Sequence, residues 1–236
     1  NRYIEYYMKN CLDMAIQKGL LISDVGNNFK LSYEKKREIL QNNIWGVDID
    51  ILAVEVAKFS LLIKLIEDSS LYEMESFVKN NNCRILPSLD NNIKNGNSLV
   101  DEKYIEFNSN ILNNPEMVEK IKIFNWENEF EGEKFDAIVG NPPYIRVQNM
   151  VHFSENEYEY YKSEVSKYET AKSDLLDKYF LFMEKGLQLL KPKGKMGYII
   201  PHKFMLIKSG ASLRKLLSEK KCVKQIIHFG TEQVFR

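Results

Sequence analysis

The spacing of apolar residues along the chain predicts strands that alternate with helices. An apolar run at residues 44–49 ends in an acid, and a helical pattern that closes at residues 60–66 follows it. A second apolar run, at residues 135–140, has the composition of a buried strand. A strand that ends in an acid and leads into a helix is one repeat of a doubly wound sheet, so the pattern predicts an α/β fold.

Further helices and strands extend this prediction to most of the chain. Helical spacing indicates helices within residues 3–16, 32–42, 115–124 and 209–218. An amphipathic helix, ended by residues 191–194, is marked by Leu175, Tyr179, Phe182, Leu187 and Leu190. Strand patterns occur at residues 93–97, 196–200 and 223–229.

Three polar stretches interrupt this order. Residues 67–92 and 100–134 are predicted to be insertions, and residues 146–172 a mobile loop or partly helical lid. With 236 residues, 44% of them hydrophobic, the chain is long enough to bury one substantial core and too short to guarantee two. We therefore predict one main domain over residues 1–236, interrupted by these stretches.

The charge balance neither supports nor excludes nucleic acid as a partner. Basic and acidic residues number 33 each, so any contact with DNA must come from a local patch. Phosphate contacts are possible for the basic residues around the strand at 196–200, although solvated surface is preferred for most of them: Lys191, Lys193, Lys195, Lys203, Lys208, Arg214 and Lys215. Four tyrosines have two equally good interpretations, which are to line a nucleic-acid channel or to pack locally. They are Tyr158, Tyr160, Tyr161 and Tyr168.

The cysteines and histidines do not have the spacing of a metal site or a disulfide framework. Three cysteines, an odd number, lie far apart without a Cys-x-x-Cys pair: Cys11, Cys83 and Cys222. The histidines lack ligand spacing as well: His152, His202 and His228. No apolar run approaches the roughly 20 residues of a membrane-spanning helix. These features fit a reduced, cytoplasmic setting without a metal or a membrane.

The strongest chemical signal is Asn141-Pro142-Pro143-Tyr144, directly after the strand at 135–140. In an open α/β sheet, ligands lie beyond the carboxyl ends of the strands. The prolines fix the direction of the backbone, and the Pro142 carbonyl and the Asn141 side-chain oxygen are both acceptors. Two acceptors that converge on one exocyclic amine hold its two hydrogens and point its lone pair at an electrophile. The tetrapeptide therefore predicts a site for a planar amine.

Tyr144 supplies an aromatic face on which a base can stack. A base inside a duplex cannot reach such a pocket, so it would have to be flipped out at a cost of a few kcal/mol. The alternative is that the tetrapeptide only makes a turn, as Asn-Pro pairs often do. The strand before it and the acid-ended strand upstream favour the functional interpretation.

Two further positions follow predicted strands. Asp48 ends the strand at 44–49, where a carboxylate can accept both hydroxyls of a ribose, although an acid there can also cap a helix, a role we expect for Asp50. Asn97 ends the strand at 93–97, where its side chain could hydrogen-bond an adenine amine. A simple turn built from Asn and Gly is nearly as good an interpretation of Asn97.

Several of these segments together resemble a known family. They are residues 46–50 and 53–58, Gly96-Asn97-Ser98-Leu99, residues 135–144, residues 189–194 and Ile199-Ile200-Pro201. They resemble the amino-methyltransferases of bacterial restriction-modification systems, most closely the adenine-N6 enzymes of the gamma arrangement with an Asn-Pro-Pro-Tyr motif, including those fused to an endonuclease. The similarity covers about residues 44–66 and 93–234.

The resemblance implies a fold, a cofactor and roles for individual residues. The fold is a Rossmann-like, class I S-adenosylmethionine-dependent methyltransferase sheet, and the reaction is methylation of the N6 amine of an adenine flipped out of double-stranded DNA. Asp48 and Ile49 would contact the ribose and adenine of S-adenosylmethionine, with Asn97 and the adjacent Ser98 at its adenine amine. The flipped base would meet Asn141, Pro142, Pro143 and Tyr144.

Two departures from the family pattern give further expectations. The acid-x-x-Gly-x-Gly cofactor loop is not in this sequence, so we expect the sheet to lack its first strand and the chain by itself to be inactive. Asn97 stands where the family often has an acid. The sequence also ends before the hairpin that finishes the sheet and before any target-recognition domain, so a fused or separate endonuclease and specificity domain are expected partners.

Other classes of function share the same amine-binding logic. Asn-Pro-Pro-Tyr also occurs in enzymes that methylate a protein glutamine amide or an RNA guanine amine. The long insertion between Leu99 and Phe135 and the segment at 199–204 resemble the DNA enzymes instead. A third possibility is a non-catalytic fragment that serves as a scaffold.

Overall fold

The computed structural model describes residues 2–23, 28–146, 149, 151–172 and 176–230, with the backbone alone at 151–154. The chain divides into two compact units, which we call unit 1 (Asn1–Gly96) and unit 2 (Asn97–Arg236). Leu175, which marked a predicted helix, and residues 231–236 lie outside the described residues.

Unit 1 contains helices and short strands in the order that the sequence predicts for most of its length. The elements are α1 (Arg2–Asn10), α2 (Leu12–Gln17), β1 (Leu21–Ser23), β2 (Phe29–Leu31), α3 (Tyr33–Asn43), β3 (Gly46–Asp48), α4 (Ile51–Ile66), α5 (Leu71–Asn81) and β4 (Ile93–Asn95). Strands β1 and β2 are antiparallel, whereas β3 and β4 are parallel. Helix α5 lies within residues 67–92, the stretch that is predicted to be an insertion.

Local capping explains where the two central helices of unit 1 begin. The Ser32 side chain accepts a hydrogen bond from Lys35 N at the start of α3, and Asp50 accepts one from Leu52 N at the start of α4. The predicted capping role of Asp50 is confirmed. The buried core of the unit is formed by Tyr33, Leu40, Val54, Leu65, Met74, Leu89 and Ile93.

Unit 2 combines helices with one parallel strand pair. Its elements are α6 (Lys103–Phe107), α7 (Pro115–Ile121), α8 (Trp126–Glu129), β5 (Phe135–Gly140), α9 (Val151–Lys162), α10 (Lys178–Leu189), β6 (Leu190–Tyr198) and α11 (Ala211–Glu219). Short 3₁₀ helices lie at Ser109–Asn113, Glu169–Lys172, His202–Met205 and Lys208–Gly210. The helices predicted near 115–124 and 209–218 are confirmed, while the predicted strand near 93–97 is shorter and ends at Asn95.

Residues 100–134 and 146–172 supply much of the core of unit 2. Val100, Tyr104 and Ile111 from the first stretch are fully buried, as are Tyr160 and Tyr161 from α9. They pack into one cluster with side chains of α10. The described part of 146–172, expected to be a mobile loop or partly helical lid, contains helix α9, and its aromatic residues fill the interior of unit 2.

Each strand pair of the described chain is a two-stranded sheet, so the Rossmann-like strand order stays a prediction. The mixed α/β class and the parallel pairing are confirmed. Strand β5 has the predicted boundaries, but it is largely exposed, and Val139 keeps 85% of its surface. The prediction of a buried strand was wrong because β5 pairs with β6 alone among the described residues.

Strand β6 begins earlier than predicted and contains the expected turn. Leu190 pairs with Phe135, yet Lys195 already pairs with Ala137, so residues 191–194 bulge out of the ladder. Lys193 has a φ of 67° in this bulge. A Cβ on Gly194 would lie 3.0 Å from the carbonyl oxygens of Lys191 and Phe135, which explains the glycine. Residue 190 therefore starts a strand instead of ending α10.

The predicted strand at residues 223–229 is wrong. The segment has no regular secondary structure and no ladder partner among the described residues, and Val223, Ile226 and Ile227 are at least half exposed. Apolar composition alone cannot make a strand without a neighbour to pair with. Within the described parts of the chain, no helix has both the length and the apolar character required to cross a bilayer.

Candidate active site

The carboxyl ends of β5 and β6 are joined, and this junction positions the tetrapeptide 141–144. Gly140 pairs with Tyr198, and the Ile199 N–H donates to the Gly140 carbonyl at 3.2 Å. Asn141 follows at once, where the two prolines prevent further strand pairing. The chain therefore leaves the strand pair at a fixed point and in a fixed direction.

The Tyr144 hydroxyl links the two strand ends. It lies 2.6 Å from Asn141 Oδ1 and 3.0 Å from the Ile199 carbonyl oxygen. A hydroxyl has one hydrogen, so it donates to one of these two oxygens at a time. The contact orients the Asn141 carboxamide and leaves its oxygen a second lone pair, which is the acceptor that an amine requires.

The Tyr144 ring contacts one buried aromatic ring and is about half exposed. It meets the ring of Tyr179 edge-on, with centroids 6.4 Å apart and planes at 86°. Tyr179 is fully buried, whereas Tyr144 keeps 47% of its surface. The exposed ring is therefore held in place from behind and can accept a planar partner.

The two predicted acceptors differ in exposure, but both keep acceptor capacity among the described residues. Asn141 is exposed and does not point into the interior. No donor among the described residues hydrogen-bonds the Pro142 carbonyl oxygen, although the Pro142 ring itself is buried. Pro143 is exposed. The buried ring anchors the backbone while the carbonyl keeps its acceptor capacity.

The chain after the tetrapeptide runs beside the start of α10. The Lys178 N–H donates to the Ile145 carbonyl at 2.8 Å, and Arg146 forms an antiparallel bridge with Asp177. Burial raises the pKa of the Asp177 carboxyl, and the positive charges of Arg146 and Lys203 oppose that rise. Arg146 and Lys203 therefore both favour the charged form of a half-buried acid beside the site.

A buried ionic network behind this segment was missed by sequence reasoning. Glu157 is 5% exposed, and its Oε1 atom accepts from Lys178 Nζ at 2.9 Å, from Asn97 Nδ2 at 3.0 Å and from the Tyr161 hydroxyl. Burial raises the pKa of Glu157, but the Lys178 charge and these hydrogen bonds outweigh it, so the pKa lies below its usual value. The only sequence signal was one acid among aromatic residues.

Asn97 is part of that network. It is 4% exposed, and its Oδ1 accepts from the Leu99 N–H at 3.1 Å while its Nδ2 donates to Glu157. The neighbouring Ser98 offers its carbonyl to Trp126 Nε1 at 3.1 Å. These contacts build the turn that was the alternative interpretation of Asn97, and contact with a cofactor adenine stays a prediction for both residues.

Unit 1 presents Asp48 at the end of β3. Its Oδ1 accepts from the Asp50 N–H at 2.8 Å, and its side chain is exposed. Asn95 Nδ2 donates to the carbonyls of Asp48 and Ile49, each at 3.0 Å, and so fixes the turn. Ile49 keeps 45% of its surface. Asn95 is a positioning residue of this turn that sequence reasoning did not single out.

Comparison with known proteins identifies the family. The profile described as Eco57I restriction-modification methylase matches residues 42–235. The chain belongs to this family. The match includes β3, the tetrapeptide and β6, which are the segments on which the family resemblance depended.

Relatives in this family are much longer than the chain. It is 39% identical over 99% of its length to the type II restriction enzyme and methyltransferase RM.Eco57I of Escherichia coli, of which it covers 21%. It is 27% identical over 70% of its length to the type II methyltransferase M.HincII of Haemophilus influenzae, covering 32% of that protein. A putative type II restriction enzyme and methyltransferase of Methanocaldococcus jannaschii, RM.MjaORFECS2P, is 28% identical over 95% of the chain, which covers 18% of it.

For this family member, the tyrosines of residues 146–172 mainly pack the interior. Tyr160, Tyr161 and Tyr168 are buried, and Tyr158 packs against the same cluster. Burial raises the pKa of the Tyr160, Tyr161 and Tyr168 hydroxyls. Local packing is therefore confirmed for these residues, and a role for the three buried tyrosines in lining a nucleic-acid channel is excluded in this structure.

Proposed function

We propose that the protein that carries this chain transfers a methyl group from S-adenosylmethionine to the N6 amine of an adenine flipped out of double-stranded DNA, as part of a restriction-modification system. One observation carries the proposal. The exposed Asn141 side chain and the Pro142 carbonyl, which no described donor hydrogen-bonds, stand at the end of β5 next to the half-exposed Tyr144 ring.

The acceptors address the main difficulty of the reaction. The lone pair of an aromatic amine is delocalised into the ring, so the nitrogen is a poor nucleophile. If Asn141 and Pro142 each accept one amine hydrogen, the lone pair is directed out of the base plane. The Tyr144 hydroxyl holds Asn141 in that orientation. The cofactor, when bound, would supply a methyl group activated on a sulfonium: its S–C bond breaks as the N–C bond forms, the sulfur leaves as a neutral thioether, and the amine releases one proton to water.

Residues of unit 1 fit the ribose of such a cofactor. One Asp48 oxygen is bonded to the Asp50 N–H, and the other forms no hydrogen bond with a described residue, so it can accept a ribose hydroxyl. The exposed Ile49 side chain offers an apolar contact for an adenine ring. Asn97 and Ser98 are proposed neighbours of the adenine amine, with the Asn97 oxygen retaining one lone pair for it.

The names of the relatives support a proposal that the methyltransferase works together with an endonuclease. RM.Eco57I and RM.MjaORFECS2P are each named as both restriction enzyme and methyltransferase. We therefore propose that the intact protein, or a separate partner, adds an endonuclease and a domain that recognises the DNA sequence.

Methylation mapping tests the reaction. DNA from cells that express the full-length protein is digested and its nucleosides are identified by mass spectrometry, with Asn141→Ala cells as the control. We expect N6-methyladenine at one sequence motif in the first sample only. Methylated cytosine would refute the adenine assignment, and DNA without any methylated base would refute DNA as the substrate class.

Replacement of Tyr144 separates stacking from orientation of Asn141. In the full-length protein, Tyr144→Ala should weaken binding to a duplex with an extruded adenine by about 1–3 kcal/mol, the value of one stacked base. Tyr144→Phe keeps the ring and loses the hydroxyl that contacts Asn141. It should therefore bind normally but turn over more slowly. Equal affinity of the Ala variant and the unaltered protein would contradict the stacking role.

A further inference from the structure

The neutral net charge of the chain conceals a strongly basic segment. Residues 191–230 contain ten lysine or arginine residues and a single acid, Glu219, whereas the rest of the chain has 23 basic and 32 acidic residues. All of residues 191–230 are described and belong to unit 2. The segment contains most of β6 and the residues after it, so basic residues occur in the sequence both before and after the strand end that contacts Tyr144.

Several cations of this segment already bind acids or backbone carbonyls of the chain. Lys191 pairs with Asp136 at 3.0 Å, and Lys215 lies 3.8 Å from Glu219. The Arg214 guanidinium donates to the carbonyls of Phe204 and Ile207 and so serves the fold. Lys203, in contrast, is exposed and forms no ion pair with a described residue.

The backbone around Lys203 is held firmly. Phe204 is buried, and the Lys203 carbonyl accepts from the N–H groups of Leu206 and Ile207 at 2.9 and 3.0 Å. Gly210 packs so closely on Phe204 that a Cβ there would lie 2.0 Å from the Phe204 carbonyl oxygen. The exposed ammonium group therefore stands on a rigid turn, four residues after Ile199, whose carbonyl contacts the Tyr144 hydroxyl.

Arg146 is the second exposed cation at this place. It lies two residues after Tyr144, and its bridge to Asp177 and the bond between Lys178 N–H and the Ile145 carbonyl fix its backbone. Arg146 and Lys203 both favour the charged form of the Asp177 carboxyl, at the residue that precedes α10. Asp177 carries at most one negative charge, so it can balance only one of these two cations.

We propose that Arg146 and Lys203 bind the DNA phosphates that flank the extruded adenine. An extruded nucleotide carries a phosphate on each side, and a base stacked on Tyr144 brings both toward the surface around that ring. Arginine and lysine on rigid backbone are suited to hold them, because phosphate contacts fix the register of a nucleotide without reading its sequence. This inference rests on the proposed function, since it takes DNA as the substrate.

Salt dependence of DNA binding provides the first test. Full-length protein is titrated into a fluorescein-labelled duplex of mixed sequence at increasing salt, and binding is measured by fluorescence anisotropy. The duplex has about 30 base pairs, or about three helical turns. Arg146→Gln and Lys203→Gln should each reduce the slope of log K against log salt by roughly 0.9, the effect of one lost phosphate contact. Arg146→Lys and Lys203→Arg should retain the slope. Lys191→Gln is the control, because it removes one positive charge at the opposite end of β6, where Lys191 pairs with Asp136. It should leave the salt slope unchanged.

The second test replaces charged phosphates of the DNA with neutral analogues. They are placed beside the adenine that the methylation experiment identifies as the target. Methylphosphonates on both sides of that adenine should weaken binding by the unaltered protein and leave the Arg146→Gln/Lys203→Gln double variant unaffected. Equal weakening in both proteins, or unchanged salt slopes in the single variants, would overturn the phosphate contacts. Slope changes in a protein that methylates no DNA would instead refute the proposed function, so the two failures are distinguishable.

Discussion

Asn141→Ala in the full-length protein should abolish methyl transfer while leaving the fold intact. The substitution removes one of the two acceptors of the target amine, and the loss of one preorganised hydrogen bond at a reacting centre costs on the order of 10²–10³-fold in turnover. Asn141 is exposed, and the Tyr144 hydroxyl retains the Ile199 carbonyl as its partner. Single-turnover methylation of the mapped duplex measures the rate, and circular dichroism verifies the fold.

Two further variants serve as controls for the loss of activity in Asn141→Ala. Asn113→Ala removes an equally exposed carboxamide from the 3₁₀ helix Ser109–Asn113 and should leave the rate unchanged. Asn141→Asp retains an acceptor oxygen and should be faster than Asn141→Ala. If Asn141→Ala keeps a rate within a few-fold of the unaltered protein, Asn141 has no part in the mechanism.

The tetrapeptide could be located from sequence because the forces that place it are local. Prolines at 142 and 143 stop strand pairing wherever they occur, and the apolar run before them makes a strand of correct length. Helix starts at Ser32 and Asp50 were predictable for the same reason, since a cap depends on residues within one turn. Local chemistry therefore defined both β5 and the candidate acceptors.

Burial could not be predicted in the same way, because it depends on neighbours distant in the sequence. The apolar residues of β5 indicate a buried strand, yet Val139 is exposed since β6 is its one partner among the described residues. The polar stretch 100–134 indicated a surface insertion, yet Tyr104 and Ile111 are at the centre of unit 2. Amphipathic spacing was too weak there to reveal which face would be covered.

The role of Asn97 shows a similar limit at the candidate site. Its place after a strand suggested a contact with a cofactor, whereas its side chain meets Glu157, 60 residues away. Glu157 in turn binds Lys178, 21 residues further along. No local pattern links these three positions, so only the folded chain shows that they support the backbone behind the tetrapeptide.

Removal of the Glu157 carboxylate should destabilise unit 2 by about 3–5 kcal/mol, the usual cost of leaving one partner of a buried ion pair alone. Glu157→Ala leaves Lys178, whose side chain is 13% exposed, and Asn97 without their common acceptor. Hydrogen exchange of α9 and α10 in the full-length protein measures the local free energy of opening. Glu159→Ala, an exposed acid on the same helix, is the matched control and should have little effect.

Acid should reproduce part of this loss in the unaltered protein. Because the folded-state pKa of Glu157 lies below its ordinary value, its contribution to stability is complete above the unfolded pKa and is lost as pH falls through the folded pKa. Residue 157 cannot titrate in Glu157→Gln, so the α9 and α10 amides of this variant should lose less protection between neutral and acidic pH than those of the unaltered protein.

The variants at Glu157 should also affect catalysis. Since the Lys178 N–H donates to the carbonyl of Ile145, next to Tyr144, these variants should slow methyl transfer more than they weaken DNA binding. Equal protection in Glu157→Ala and Glu159→Ala would show that the buried pair contributes nothing to unit 2.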